Sequence, residues 1–200
     1  MKRFSMFLVS VLVCLFASAQ LTWNVKAGAG WATVRGGDSE YQKGKLGWKI
    51  GVGIEKPLSA NWLIMPSLEF KQKGTYFGSS DPSNKLVYYM YYLQSPILGS
   101  YRIRLSDEVN MTLKVGPYLA YMLSGKRNYT LQGITYEEDI FDSELGFGRR
   151  FDVGLLLGVD FEYHRFVLGT EFEYGLLPCL KDYLSKSYNM ALYATFGYKF

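Results

Sequence analysis

Eight segments of this 200-residue chain alternate apolar and polar residues with period two. No apolar run after residue 19 is long enough for a membrane helix, which needs roughly 18 residues. Aromatic side chains gather toward both ends of the alternating segments. Together these predict an all-β fold, an eight-stranded antiparallel up-and-down transmembrane β-barrel.

The first predicted strand, 22–34, puts Trp23, Val25, Ala27, Ala29 and Trp31 on one face. The second, 45–56, does so with Leu46, Trp48, Ile50, Val52 and Ile54, and the third, 62–73, with Trp62, Ile64, Pro66, Leu68 and Phe70. The fourth, 86–103, presents Tyr91, Leu93, Ser95, Ile97, Gly99, Tyr101 and Ile103. The fifth, 111–123, presents Leu113, Val115, Pro117, Leu119, Tyr121 and Leu123. The sixth, 151–163, carries Phe151, Val153, Leu155, Leu157, Val159 and Phe161. The seventh, 166–174, carries Phe166, Leu168, Thr170, Phe172 and Tyr174, and the eighth, 188–200, carries Met190, Leu192, Ala194, Phe196, Tyr198 and Phe200. That face holds no charge, although 20% of the chain is charged.

The opposite face carries Lys26, Lys49, Lys71, Lys73, Arg102, Lys114 and Lys199 against Glu55, Glu69, Asp152, Asp160, Glu162, Glu171 and Glu173. It is also rich in glycine. In a soluble barrel the apolar face would point inward; in a membrane barrel it points to lipid. The aromatics decide. Trp23, Trp62, Tyr101, Phe166, Tyr198 and Phe200 lie near one strand end, and Trp31, Trp48, Tyr91, Tyr121, Phe151 and Tyr174 near the other. Two girdles around an aliphatic band predict lipid outside. A charge-balanced, glycine-rich face then fills a narrow lumen, predicting bridges among Lys49, Glu69, Lys71, Arg102, Lys114, Asp152, Asp160, Glu162, Glu171 and Glu173. The alternative is a narrow pore, left open by the glycines of the first two strands.

Connections alternate in length. Those at 57–61, 104–110 and 164–165 are short; those at 35–44, 74–85, 124–150 and 175–187 are longer. Short periplasmic turns and long outer loops have this rhythm. Pro66, Pro96 and Pro117 fall inside strands, where bulges are expected to take them out of the ladder.

Residues 1–19 read as a signal peptide and 20–200 as the barrel domain. Lys2 and Arg3 precede an apolar stretch, and Ala17-Ser18-Ala19 is a small-x-small cleavage site. The predicted location is the outer membrane. Cys14 suggests a lipoprotein, but Val13 is not the small residue a lipobox needs. Cleavage leaves Cys179 as the mature chain's one cysteine, read as a loop residue. Losing Lys2 and Arg3 lowers the net charge from +4 to +2, which argues against a nucleic-acid partner.

Five stretches resemble the PorT-like family of small outer-membrane β-barrels. Pro66-Ser67-Leu68-Glu69-Phe70-Lys71-Gln72-Lys73-Gly74 resembles its P-x-L-x-aromatic-x-x-K-G strand. Tyr92-Leu93-Gln94-Ser95-Pro96-Ile97-Leu98 resembles its Y-L-x-I-P-L-L strand, departing at Ser95, where an aliphatic is usual. Gly116-Pro117-Tyr118-Leu119-Ala120-Tyr121 resembles G-P-Y-L-x-Y, and 151–158 resembles F-D-x-G-L-x-x-G. Tyr174-Gly175-Leu176 is similar to the Y-x-x-G-L ending, shortened by two. The resemblance spreads over most of 20–200 and accommodates the strand prolines. It implies a structural, binding or secretion-accessory role, since the family's namesake is linked to protein secretion and gliding. Tyr198-Lys199-Phe200 is similar to the aromatic-x-Phe ending that the barrel-assembly machinery reads, making Tyr198 and Phe200 the assembly signal.

The chemistry reads as non-enzymatic and without a cofactor. P-loop and dinucleotide-binding fingerprints are absent, and His164, the one histidine, sits in a two-residue turn. An outer-membrane lipid-modifying enzyme would want such a group at the outer rim instead. Glu171 and Glu173 could form an acid–base pair, but the lysines of the same face favour salt-bridged filling. Glu137, Glu138, Asp139, Asp142 and Glu144 read as a solvated acidic loop rather than a calcium site. The expected partners are outer-membrane lipids, the assembly machinery, and a secretion or surface partner met by the 124–150 loop through Tyr129, Tyr136, Ile140 and Phe141.

Overall fold

The computed structural model describes residues 21–36, 42–78, 85–131, 134–141, 149–181 and 186–200. The signal segment 1–19 with Cys14, and the acidic Asp142 and Glu144, lie outside the described residues. The strands are β1 (Thr22–Arg35), β2 (Gln42–Pro57), β3 (Trp62–Gly78), β4 (Lys85–Arg104), β5 (Val109–Leu131), β6 (Ile134–Asp139), β7 (Phe151–Tyr163), β8 (Phe166–Lys181) and β9 (Lys186–Lys199).

Eight of them form a closed antiparallel barrel, and β6 pairs with β5 alone as a hairpin arm. Closure runs between β9 and β1, in register from Asn24↔Lys199 to Arg35↔Tyr188. A lipid-embedded sheet needs this seam, because hydrocarbon offers an open edge no hydrogen bonds. The apolar face points outward: Trp31 is 63% exposed and Phe196 56%, whereas Lys71 and Glu173 on the other face are at 0%. At the short-turn end Trp62 meets Tyr101 edge-on at 5.1 Å and Phe166 meets Tyr198 at 5.4 Å. At the far end Trp48 contacts Phe70 at 5.5 Å, and Tyr121 contacts Phe151 at 5.1 Å. The short turns mark the periplasmic end. His164 takes a φ of 54° in the β7–β8 turn, the left-handed geometry of tight two-residue hairpins.

The strands outrun their sequence pattern. β5 continues to Leu131 instead of ending at Leu123, β3 to Gly78 and β8 to Lys181. Beyond the hydrocarbon both faces meet water or loop. The ladder can therefore continue where apolar–polar alternation stops. The expected 124–150 loop is thus corrected: β5 and β6 pair from Lys126↔Asp139 to Leu131↔Ile134.

The prolines also differ from expectation. The registers shift at Gly44/Trp48, Tyr91/Tyr92 and around Pro178, and not at Pro66, Pro96 or Pro117. Instead each proline sits at a two-residue gap in an otherwise constant register with the preceding strand. Pro96 falls opposite Ser67 and has no N–H to offer it. The Ser95 hydroxyl donates to Ser67 O at 3.2 Å in its place. The departure at Ser95 therefore supplies the donor that the proline removes. Ser95→Ala is expected to destabilise the barrel by about 1–3 kcal/mol, the cost of an unsatisfied acceptor away from water. Ser95→Thr should retain stability. Urea midpoints of both variants in lipid vesicles check this, and an unshifted Ser95→Ala midpoint would refute it.

Candidate functional site

Alternation along each strand aims the charged residues inward, and closure brings together side chains far apart in sequence. Lys73 on β3 lies 2.8 Å from Glu173 on β8 and 3.9 Å from Asp152 on β7. Glu173 also holds Lys71 at 2.5 Å, and Lys71 holds Glu69 at 2.7 Å. Glu69 meets Lys49 at 3.2 Å, and Lys49 pairs with Glu171. Glu171 holds Lys114 at 2.5 Å, and Asp160 then joins Lys114 and Lys26, each at 2.7 Å. The result is a continuous ladder of alternating charge along the barrel axis. Nearer the periplasmic end, Glu55 and Glu162 share Arg102 and Lys199: Glu55 lies 2.5 Å from Arg102, and Glu162 lies 2.6 Å from Lys199. All ten predicted lumen residues lie in these two networks, which also take in Lys26, Glu55, Lys73 and Lys199.

Neutral polar residues complete the ladder. Asn189 donates to Asp152 at 2.7 Å and to the Tyr92 hydroxyl at 3.1 Å, while Gln94 donates to Glu173 at 3.2 Å. The sequence reading missed Asn189 and Gln94; their only signal was a polar residue in the inward phase. Lys73 lies 5.0 Å from the Tyr118 ring. Glycine makes the room: a Cβ on Gly158 would stand 2.5 Å from Lys114 Cε, and one on Gly154 would stand 2.5 Å from Tyr118 Cζ.

A cavity of about 20 Å³ remains beside Asn24, Lys26, Lys49, Gly51, Gly53 and Glu171. That is room for about one water. Glu69, Glu171 and Glu173 place carboxylate oxygens within 4.8 Å of one another, a spacing a metal could use. Lys49, Lys71, Lys73 and Lys114 already neutralise them. Each of Glu171 and Glu173 is fixed between two ammonium groups and sealed from solvent, an arrangement suited to structure rather than proton transfer to a substrate.

Above the ladder the lumen turns apolar. Ile140, at the end of the β6 arm, is buried in a cluster with Val34, Met90, Met122 and Cys179. Its N–H donates to Gly125 O at 3.0 Å. The Arg150 guanidinium lies 4.0 Å from the Phe141 ring, and the Arg149 N–H donates to Cys179 O at 3.0 Å. Ile140 and Phe141 are therefore not exposed loop residues but part of a plug in the outer mouth. Cys179 is corrected too: it is buried in β8, its thiol 3.2 Å from Ser187 O. Tyr129 and Tyr136 stack at 5.2 Å across the arm, Tyr136 exposed. Lys126 and Glu137 pair at 2.5 Å on the same arm, and the hydrogen bond to Glu137 holds the Lys126 ammonium above its ordinary pKa. Tyr198 and Phe200 sit at the seam, where the Phe200 N–H donates to Trp23 O at 2.9 Å.

A family profile described as outer membrane protein beta-barrel domain matches residues 16–181. Among solved structures, OprG of Pseudomonas aeruginosa is similar at 10% identity and a TM-score of 0.51, over 91% of this chain and 97% of that one. The Neisserial surface protein NspA aligns at 15% identity and a TM-score of 0.47, over 89% of this chain and 97% of that one. The outer membrane enzyme PagL aligns at 9% identity and 0.48, over 88% and 98%. At 10% identity the likeness to OprG speaks to fold alone. No curated protein matches the chain.

Proposed function

We propose that this chain, which belongs to the outer membrane protein beta-barrel domain family, is a PorT-like barrel with a structural, binding or secretion-accessory role, exported by the signal segment at 1–19. It acts through its ends and surface rather than through its bore. The observation that carries this reading is the lumen: its seven bases and seven acids are mutually paired, and Ile140 is seated in the mouth above them. Eight strands enclose a space that side chains can fill, and here they fill it. The protruding β5–β6 arm with its Tyr129–Tyr136 stack is the surface offered to a partner outside the cell.

The same reading makes the protein a non-enzyme. His164 lies in a periplasmic turn, and the buried carboxylates are committed to lysines. A second reading, a narrow channel, is favoured only by the cavity beside Gly51 and Gly53. Planar-bilayer recording of the purified mature protein tests both. The expected record is flat, and stable, reproducible single-channel steps would make the channel the leading function.

A further inference from the structure

Two cations stand apart from the lumen networks. Among the described residues every inward cation has a carboxylate within 4.0 Å, whereas neither Arg35 nor Lys45 makes an ion pair. Both lie on tyrosine rings at the outer rim. Arg35 ends β1 in the outward phase of Trp31 and Thr33 and is exposed. Its guanidinium lies 4.2 Å from the Tyr174 ring centre and 5.2 Å from that of Tyr188. Lys45 lies within the Gly44/Trp48 register shift of β2. Its stem passes over Gly74, where a Cβ would stand 3.3 Å from Lys45 Cδ. Its ammonium reaches 3.4 Å from the ring centre of Tyr89, the partner of Gly74 across β3 and β4.

We propose that Arg35 and Lys45 hold the phosphate groups of outer-leaflet lipids. The girdle tyrosines sit where the hydrocarbon ends and headgroups begin. A cation stacked on such a ring is oriented before it binds, and the aromatic face leaves its N–H donors without an anion. Basic residues at a membrane boundary attract anionic headgroups. The two stations flank the β1–β2 connection, so they fix the height of the outer rim against the leaflet. The inference rests on the membrane placement in the proposed function and is independent of whether the lumen conducts.

The test uses the folded mature barrel in neutral detergent, with native mass spectrometry counting bound lipid. Its arms are phosphatidic acid, phosphatidylcholine and inorganic phosphate. Phosphatidic acid adducts should exceed phosphatidylcholine adducts at least fivefold and fall at least fivefold in the Arg35→Gln/Lys45→Gln variant. The Arg35→Lys/Lys45→Arg variant should restore most of the binding. Equal retention of the two lipids, or retention unchanged in the glutamine variant, overturns the proposal. Displacement of the lipid by inorganic phosphate at matching concentration would assign the stations to a free anion instead and overturn the lipid assignment. Heat-modifiable gel mobility shows that each variant is folded, separating loss of binding from loss of the barrel.

Discussion

Replacing Glu173 by leucine is expected to cost the barrel about 3–5 kcal/mol, the range for removing one partner of a buried ion pair. Glu173 holds Lys71 at 2.5 Å and Lys73 at 2.8 Å, and all three are fully buried. Without it, Lys71 still has Glu69 at 2.7 Å, but the nearest paired carboxylate to Lys73 is Asp152 at 3.9 Å. The damage is therefore a stranded ammonium at Lys73. Adding Lys73→Met to Glu173→Leu restores the balance of charge and should recover most of the loss, because apolar groups of similar volume can replace a buried pair at little net cost. Urea midpoints of the single and double variants in lipid vesicles measure the difference. If Glu173→Leu unfolds at the wild-type midpoint, the ladder does not stabilise the barrel.

Deleting Phe200 is expected to reduce folded protein in the outer membrane to a minor fraction of the wild-type level, with export unaffected. Two contributions meet at this residue. Its N–H closes the last rung of the seam on Trp23 O at 2.9 Å, and its exposed ring, which we propose the assembly machinery reads, stands 5.3 Å from that of Tyr198. Phe200→Ser keeps the main-chain donor and removes the ring. A loss equal to that of the deletion assigns the effect to recognition of the ring, and a loss confined to the deletion assigns it to the seam. Fractionation with heat-modifiable mobility reads both, and normal folded yield from the deletion would sink the assembly-signal reading.

The strand count of the barrel and the face turned to lipid were legible because a spanning strand must alternate: Trp31 and Phe196 point out, and Lys71 and Glu173 point in. The inward charges were legible for the same reason, since side-chain phase is a local property of two consecutive residues. Partner choice is not local. Lys71 and Glu173 meet across 102 positions of sequence, and only the closed register between β9 and β1 sets which acid faces which base. Strand ends above the membrane were hidden as well, because β5 from Ser124 to Leu131 is held by a ladder that no longer needs an apolar side.

The burial of Ile140 and Cys179 depends on the chain turning into the mouth after the last residue of β6, which no periodicity in 124–150 signals. Ser95 is the clearest case. By its phase it is a polar residue misplaced on the lipid face; opposite Ser67 and before Pro96 it is the donor the backbone lacks. Period two thus determined where each side chain points. Barrel closure alone decided what it meets there, because contacts across a ring depend on the relative register of strands far apart in sequence.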